Sequence, residues 1–331
     1  MMKMKMKNHL SSVIFWAVLA VTLLLFAQRN YYAFIIALFG VYAIVATALD
    51  VLFGYTGQIS LGHAGLFAIG SYVTALLALK LGVPTAIALI LGAVAATVVG
   101  ALIAIPASKL VKHFLSLLMI AFGQIVYLII NSWSKVTGGS LGLMNIPKLN
   151  LFGFKFDSYI KIAILIWLVL ALLLVVKVRI INSRVGSAFI ALRENSVAAK
   201  GLGIDIKKYK VIAFAISAFM TGLAGGLYTY VRGFISPETF NGTQSTLFMT
   251  MLLFGGICTV EGPVIGAVVL LLVKEVFQSL ASYQGLVYAL FMLVVLFFLP
   301  NGVVGIFKSL GGVVGKLKKK NKKEGQVNAE N

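Results

Sequence analysis

The chain has 331 residues, 60% of them hydrophobic and only 11% charged, and 28 Lys or Arg against 9 Asp or Glu give it a net charge of +19. That apolar share, with a mean hydropathy of +1.02, stands well above the roughly 45–50% of soluble domains, so an ordinary globular fold is excluded and the class is an all-α polytopic membrane protein. A transmembrane β-barrel is excluded as well, because its strands would alternate in polarity over about 10 residues.

A crossing helix needs about 20 apolar residues, and the runs in chain order predict about ten transmembrane helices. Lys3, Lys5 and Lys7 precede the first run, Ser11–Ala27. Its apolar stretch from Val13 is similar to a signal peptide, but no small-x-small cleavage site follows, so it reads as a retained span. The next five are Tyr31–Phe53, Ala64–Leu79, Pro84–Ile105, Phe114–Ile130 and Tyr159–Val178. A basic segment, Arg179–Lys210, then separates them from Val211–Val231, Ser245–Cys258, Val264–Leu280 and Gly285–Leu299. The run Ser245–Cys258 is short and reads as a broken or re-entrant element.

With the N-terminus in the cytoplasm, six crossings return Arg179–Lys210 to that side, and four more bring the lysine-rich tail Lys316–Lys323 there. Lys109, Lys112 and His113 fall on the same side, as the positive-inside rule requires. The basic balance is therefore topological rather than a nucleic-acid footprint; no nucleic-acid partner is expected, and the tail can touch anionic membrane lipid. The expected organisation is a cytoplasmic N-terminus (1–10), a transmembrane domain (11–307) carrying the cytoplasmic loop 179–210, and a basic cytoplasmic tail (308–331), with both termini inside.

Glycine-rich interruptions break the apolar runs in each half, at Gly54–Gly65 and at Phe254–Pro263. Broken helices in corresponding halves mark transport sites, because unwound backbone survives in a membrane only where it lines a cavity or is covered by protein. The alternative is close helix packing through small residues. Asp50 stands near a span end, where it can reach water or a lysine, and reads as structural. Lys274 and Glu275 lie inside the ninth run and point about 100° apart on a helix.

No catalytic constellation is present. His9, His63 and His113 are far apart, the single cysteine Cys258 cannot form an intrachain disulfide, and no phosphate-binding loop occurs. Neither an enzyme nor a cofactor is expected. Within the basic segment Val185, Phe189, Leu192 and Ser196 share one helical face. Asn182 or Ser183 can cap that helix, and Gly201 or Gly203 can end it. Such a helix can rest on lipid or lay its apolar face in a groove of a soluble partner.

The stretch from Arg193 to Ile204, RENSVAAKGLGI, resembles the coupling loop of ABC importer permeases, and more narrowly the LivM-type permease subunit of branched-chain amino-acid importers. GYTGQISLGHAG (Gly54–Gly65), TGGSLGLMNIP (Thr137–Pro147), TGLAGGLY (Thr221–Tyr228) and GGICTVEGPVIG (Gly255–Gly266) are similar to that family's pattern, from about Ala48 to Pro300. The chain departs from it in its basic tail and at Leu141, where the family often has an acidic residue. The resemblance implies a second related permease, two cytoplasmic ABC ATPases and an extracytoplasmic solute-binding protein. It assigns ATPase coupling to Arg193, Glu194, Ala198, Ala199, Lys200 and Gly203, with Arg193 and Lys200 facing acidic groups of the partner. Gly57, Gln58, Ser60, Gly62 and His63 are the candidate translocation path, with close packing as the other reading. Branched-chain amino acids are the expected solutes; urea and short amides, another small polar solute, or a stand-alone secondary carrier are the alternatives.

Overall fold

The computed structural model describes residues 30–110, 112–151, 153–277 and 293. Six helices among them are long and apolar enough to cross a membrane. They are α1 (Asn30–Leu49, extended by a π-helical turn Asp50–Gly54), α2 (His63–Lys80), α3 (Thr85–Ala107), α4 (Lys112–Ser132), α6 (Tyr159–Ile181) and α9 (Ile206–Arg232). A short α5 (Ser134–Thr137) and a hairpin of β1 (Asn150–Leu151) and β2 (Phe154–Lys155), with Asn150 opposite Lys155, join α4 to α6. Two short helices, α7 (Arg184–Glu194) and α8 (Ser196–Gly201), fill the basic segment. The last described pair is α10 (Gly242–Gly255) and α11 (Gly262–Val276).

The six long helices correspond to the second through seventh predicted spans. At 14 residues, α10 is about 21 Å long, short of a hydrocarbon core of about 30 Å; α11 is described over 15 residues, as far as Val276. The predicted span Ser11–Ala27, the span Gly285–Leu299 apart from Leu293, the N-terminal residues and the basic tail lie outside the described residues.

Two departures concern the basic segment. The helix expected to start at Asn182 or Ser183 and end at Gly201 or Gly203 is divided in two. Asn195 ends α7 in extended backbone and caps α8, its side chain accepting from the Val197 and Ala198 amides, both at 3.0 Å. Asparagine competes well for this position because its short amide satisfies amides that a helix start leaves open. Ser196 therefore begins a new helix instead of sharing the face of Phe189 and Leu192, which are both buried. Second, α9 starts at Ile206 rather than near Val211, with Asp205 accepting from the Lys208 amide at 3.1 Å. Lys210 stays within the helix because its long stem carries the ammonium to the Ser108 carbonyl, 3.0 Å away.

The centre of the bundle is built from α2, α3 and α9. Lipid tails offer no hydrophobic drive for helix association, so close backbone approach and hydrogen bonding must supply it. A Cβ on Gly70 would stand 2.2 Å from the Gly222 carbonyl oxygen, so α2 and α9 touch backbone to backbone. Ser71 donates to the Gly225 carbonyl at 2.8 Å. Phe67 of α2 joins Tyr42, Tyr228, Phe240 and Phe248 in one aromatic cluster, with ring centroids 5.3 to 6.4 Å apart. The indole of Trp167 on α6 donates to the Ile36 carbonyl of α1 at 3.1 Å.

The connection between α4 and α6 is tied to the end of α9. Leu143 and Ile235 exchange backbone hydrogen bonds at 2.9 and 3.0 Å, and the Ile146 amide donates to the Gly233 carbonyl at 3.1 Å. The stretch Thr137–Pro147 thus braces the segment that follows α9.

Candidate functional site

The two glycine-rich breaks meet. The first break begins in the π-helical turn Asp50–Gly54, which shifts the register of α1 by one residue. The second lies between α10 and α11, where Gly256 (φ 111°) and Cys258 (φ 56°) turn the chain back. Asp50 joins them: its Oδ1 accepts from the Cys258 amide at 2.8 Å and its Oδ2 from Lys177 Nζ of α6 at 2.6 Å. Lys177 also donates to the Thr259 carbonyl at 2.9 Å. Both charged side chains are 0% exposed. A buried ion pair holds only if further hydrogen bonds satisfy each partner, and here the second break supplies them to both.

The basic segment plugs into the same place. Arg193, in the last turn of α7, donates from Nη1 to the Gly54 carbonyl at 2.6 Å and also bonds Cys258 Sγ. The Cys258 thiol donates to the same carbonyl at 2.9 Å. One arginine therefore links α7 to the end of α1 and to the turn between α10 and α11.

The rest of that segment faces outward. Glu194, Ala198, Lys200 and Gly203 are exposed, and Gly203 has a left-handed φ of 82° with open space where a Cβ would stand. Ala199 is buried and Arg193 half-buried, so the expectation that Arg193 faces acidic groups of a partner is corrected: its guanidinium is committed inside the chain. Val197 and Leu202, not singled out in the sequence, are 80% and 81% exposed. They leave two apolar side chains at the tip of a basic surface.

The residues of the first break are internal. Gln58 donates to Thr56 Oγ1 at 2.9 Å and to the Lys210 carbonyl at 3.4 Å. Ser217 of α9 gives its only proton to the Ala48 carbonyl at 2.8 Å, so it must accept from His63 Nε2, also 2.8 Å away. His63 Nδ1 then takes the hydroxyl of Ser60 at 2.8 Å. A neutral imidazole is thus fully satisfied, and Ser60 and His63 are both fully buried. Gly62 leaves room for the Met119 carbonyl, which a Cβ would approach to 2.2 Å, and Gly57 takes a left-handed φ of 69° beside Arg193. Five predicted residues are thus brought together, each with its polar atoms or its lack of a side chain used within the chain.

Lys177 was missed in the sequence because it closes an apolar run and reads as its basic border. The available signal was the general one that an ionisable group within a span has a partner. Nothing local names Asp50, 127 residues away.

Comparison with known proteins places the chain among membrane permeases. Residues 31–299 match the family described as branched-chain amino acid transport system / permease component. The chain belongs to this family. The permease is 29% identical to the high-affinity branched-chain amino acid transport system permease protein LivM of Escherichia coli (strain K12) over 287 residues, covering 80% of this chain and 68% of that protein. The probable branched-chain amino acid transport permease protein LivM of Methanocaldococcus jannaschii is 26% identical over 317 residues, covering 80% of this chain and 91% of its own length. The permease protein LivH of Escherichia coli (strain K12) is 26% identical over 291 residues, with coverage of 80% and 91%. No solved structure matches the permease.

Proposed function

We propose that the permease is one of two membrane subunits of an ABC importer that carries branched-chain amino acids across the cytoplasmic membrane of a bacterium or archaeon, with both termini and the segment between α6 and α9 in the cytoplasm. ATP hydrolysis belongs to two separate ATPase subunits, and an extracytoplasmic binding protein delivers the solute. The observation that carries this reading is the basic segment: within a chain of the permease family, it seats Arg193 against both helix breaks and presents exposed Val197 and Leu202 to a soluble neighbour. Glu194, Ala198, Lys200 and Gly203 surround that contact, and α7 passes the ATPases' movement to the breaks through Arg193. Relatives named LivM and LivH both come from Escherichia coli (strain K12), which supports a pair of different permeases. Gly57, Gln58, Ser60, Gly62 and His63 set the shape of the break and position α2 against α9, rather than touching solute.

The test is purification of the tagged chain from its native membrane in mild detergent, followed by reconstitution into liposomes. Co-purification of an ATPase and a second permease, with leucine uptake that needs ATP and binding protein, is the expected result. Recovery of the chain alone, with uptake driven by an ion gradient, overturns the importer reading in favour of a self-sufficient carrier.

A further inference from the structure

The end of the bundle opposite the basic segment holds a cavity of about 580 Å³ between α1, α9, α10 and α11. Its size falls in the range of roughly 300–1,000 Å³ typical of small-molecule sites. Tyr42, Tyr228 and Leu247 give it an apolar wall. Phe67, one turn along α2 from His63, and Phe248 pack against those tyrosines with centroids 5.3 to 6.4 Å apart, and both are fully buried. Aromatic packing therefore stands between the cavity and the first break.

The polar wall has an ordered chemistry. Thr243, Thr246 and Thr250 of α10 line the cavity at i, i+3 and i+7, one face of a helix. Thr246 donates to the Gly242 carbonyl at 3.2 Å and Thr250 to the Thr246 carbonyl at 2.6 Å. With their protons spent on the helix, the Thr246 and Thr250 hydroxyls offer the cavity oxygen lone pairs, which are acceptors. Glu238 adds a carboxylate to the lining. Donors come from Arg232, at the end of α9, and Lys274 of α11. The Arg232 guanidinium lies 5.5 Å from the Phe34 ring and 5.8 Å from the Tyr228 ring, which fixes its plane. Among the described residues neither Arg232 nor Glu238 has an ion-pair partner.

We infer that this cavity is where the permease receives its solute, and that it recognises both ends of a zwitterionic α-amino acid. The carboxylate goes to Arg232 and Lys274, the ammonium to Glu238 and the threonine oxygens, and an aliphatic side chain to Tyr42, Tyr228 and Leu247. This assignment rests on the amino-acid importer reading and adds a place and a head-group requirement to it. It places solute contact at the opposite end of α9 from the glycine-rich break, the candidate translocation path for which close packing was the other reading.

Cells carrying the whole transporter test it through Thr246→Cys, with Thr243→Cys as a second position, labelled from outside by a membrane-impermeant maleimide. The wild-type chain, whose single cysteine lies at the other end of the bundle, is the background. L-leucine is expected to slow labelling, while L-leucinamide, without the carboxylate, and 4-methylpentanoate, without the ammonium, do not at the same concentration. Adding Arg232→Gln or Glu238→Gln should raise the leucine concentration needed for protection roughly tenfold or more, the loss of a charge-assisted contact. The second variant keeps the test valid where the first does not reach the membrane. Labelling that leucine leaves unchanged, in cells that import leucine, overturns the site and leaves the importer reading intact. Absence of labelling at both positions overturns it too, since a neighbouring subunit then fills the cavity. Protection by a non-amino-acid solute that the same cells import overturns the zwitterion assignment and the amino-acid reading together.

Discussion

Replacing Lys177 with Met isolates the junction of the two breaks. The methionine retains most of the lysine stem's volume but removes the ammonium that stands 2.6 Å from Asp50 Oδ2. Asp50 would keep one donor, the Cys258 amide at 2.8 Å, and a buried carboxylate left with one neutral donor is under-compensated. Breaking a buried pair from one side destabilises by about 3–5 kcal/mol, and the Thr259 carbonyl loses its donor as well, about 1 kcal/mol more. Asp50→Asn should lie in the same range, because it strands the lysine. The double variant Asp50→Asn/Lys177→Met buries no charge and loses only hydrogen bonds, so its expected cost is about 1–2 kcal/mol. Reversible SDS unfolding of the purified chain in mixed micelles measures all three. The singles should sum to at least about 3 kcal/mol more than the double. Additivity within about 0.5 kcal/mol would refute the reasoning and show that the two groups do not stabilise each other.

Other perturbations separate folding from coupling. Arg193→Ala removes the contact with the Gly54 carbonyl without touching the bundle core; the complex should assemble, hydrolyse ATP, and import at a clearly reduced rate per ATP, which parallel uptake and phosphate-release assays read. Val197→Asp with Leu202→Asp alters two side chains exposed at 80% and 81%, so chain stability should stay within about 0.5 kcal/mol while the ATPases are lost from a pull-down. Gly70→Leu drives a side chain into the Gly222 carbonyl and should cost about 3 kcal/mol by overpacking, seen as a fall in the amount of folded chain in the membrane. His63→Ala leaves Ser60 and Ser217 short of a partner, about 1–3 kcal/mol, yet uptake normalised to folded protein should match wild type.

The long spans were legible because apolar runs and charge asymmetry are local properties, readable without knowing what packs where. Their ends were less so: the boundary at Val211 failed because Lys207, Lys208 and Lys210 look like loop, whereas a helix end tolerates lysines that reach sideways to carbonyls such as that of Ser108. The division at Asn195 was hidden by a continuous hydrophobic period, although an asparagine ahead of Ser-Val-Ala-Ala is a capping signal in its own right. The breaks were visible as glycine clusters, but their meeting through Asp50, Cys258 and Lys177 joins positions far apart in sequence, and periodicity carries no information at that distance. The threonines of α10 were visible at helical spacing inside an apolar run; what they face depends on Arg232 and Lys274, which belong to other helices.

The distance between Asp50 and Lys177 also matters during synthesis. At about 5–20 residues per second, the 127 residues that separate them take roughly 6–25 s to emerge. For that interval the acid end of α1 waits in a nascent bundle without its lysine, and the amide of Cys258 arrives later still. The end of α1 therefore cannot settle until α6 is inserted in the correct register. An error in threading α6 leaves the Asp50 carboxylate stranded without the ammonium that compensates it.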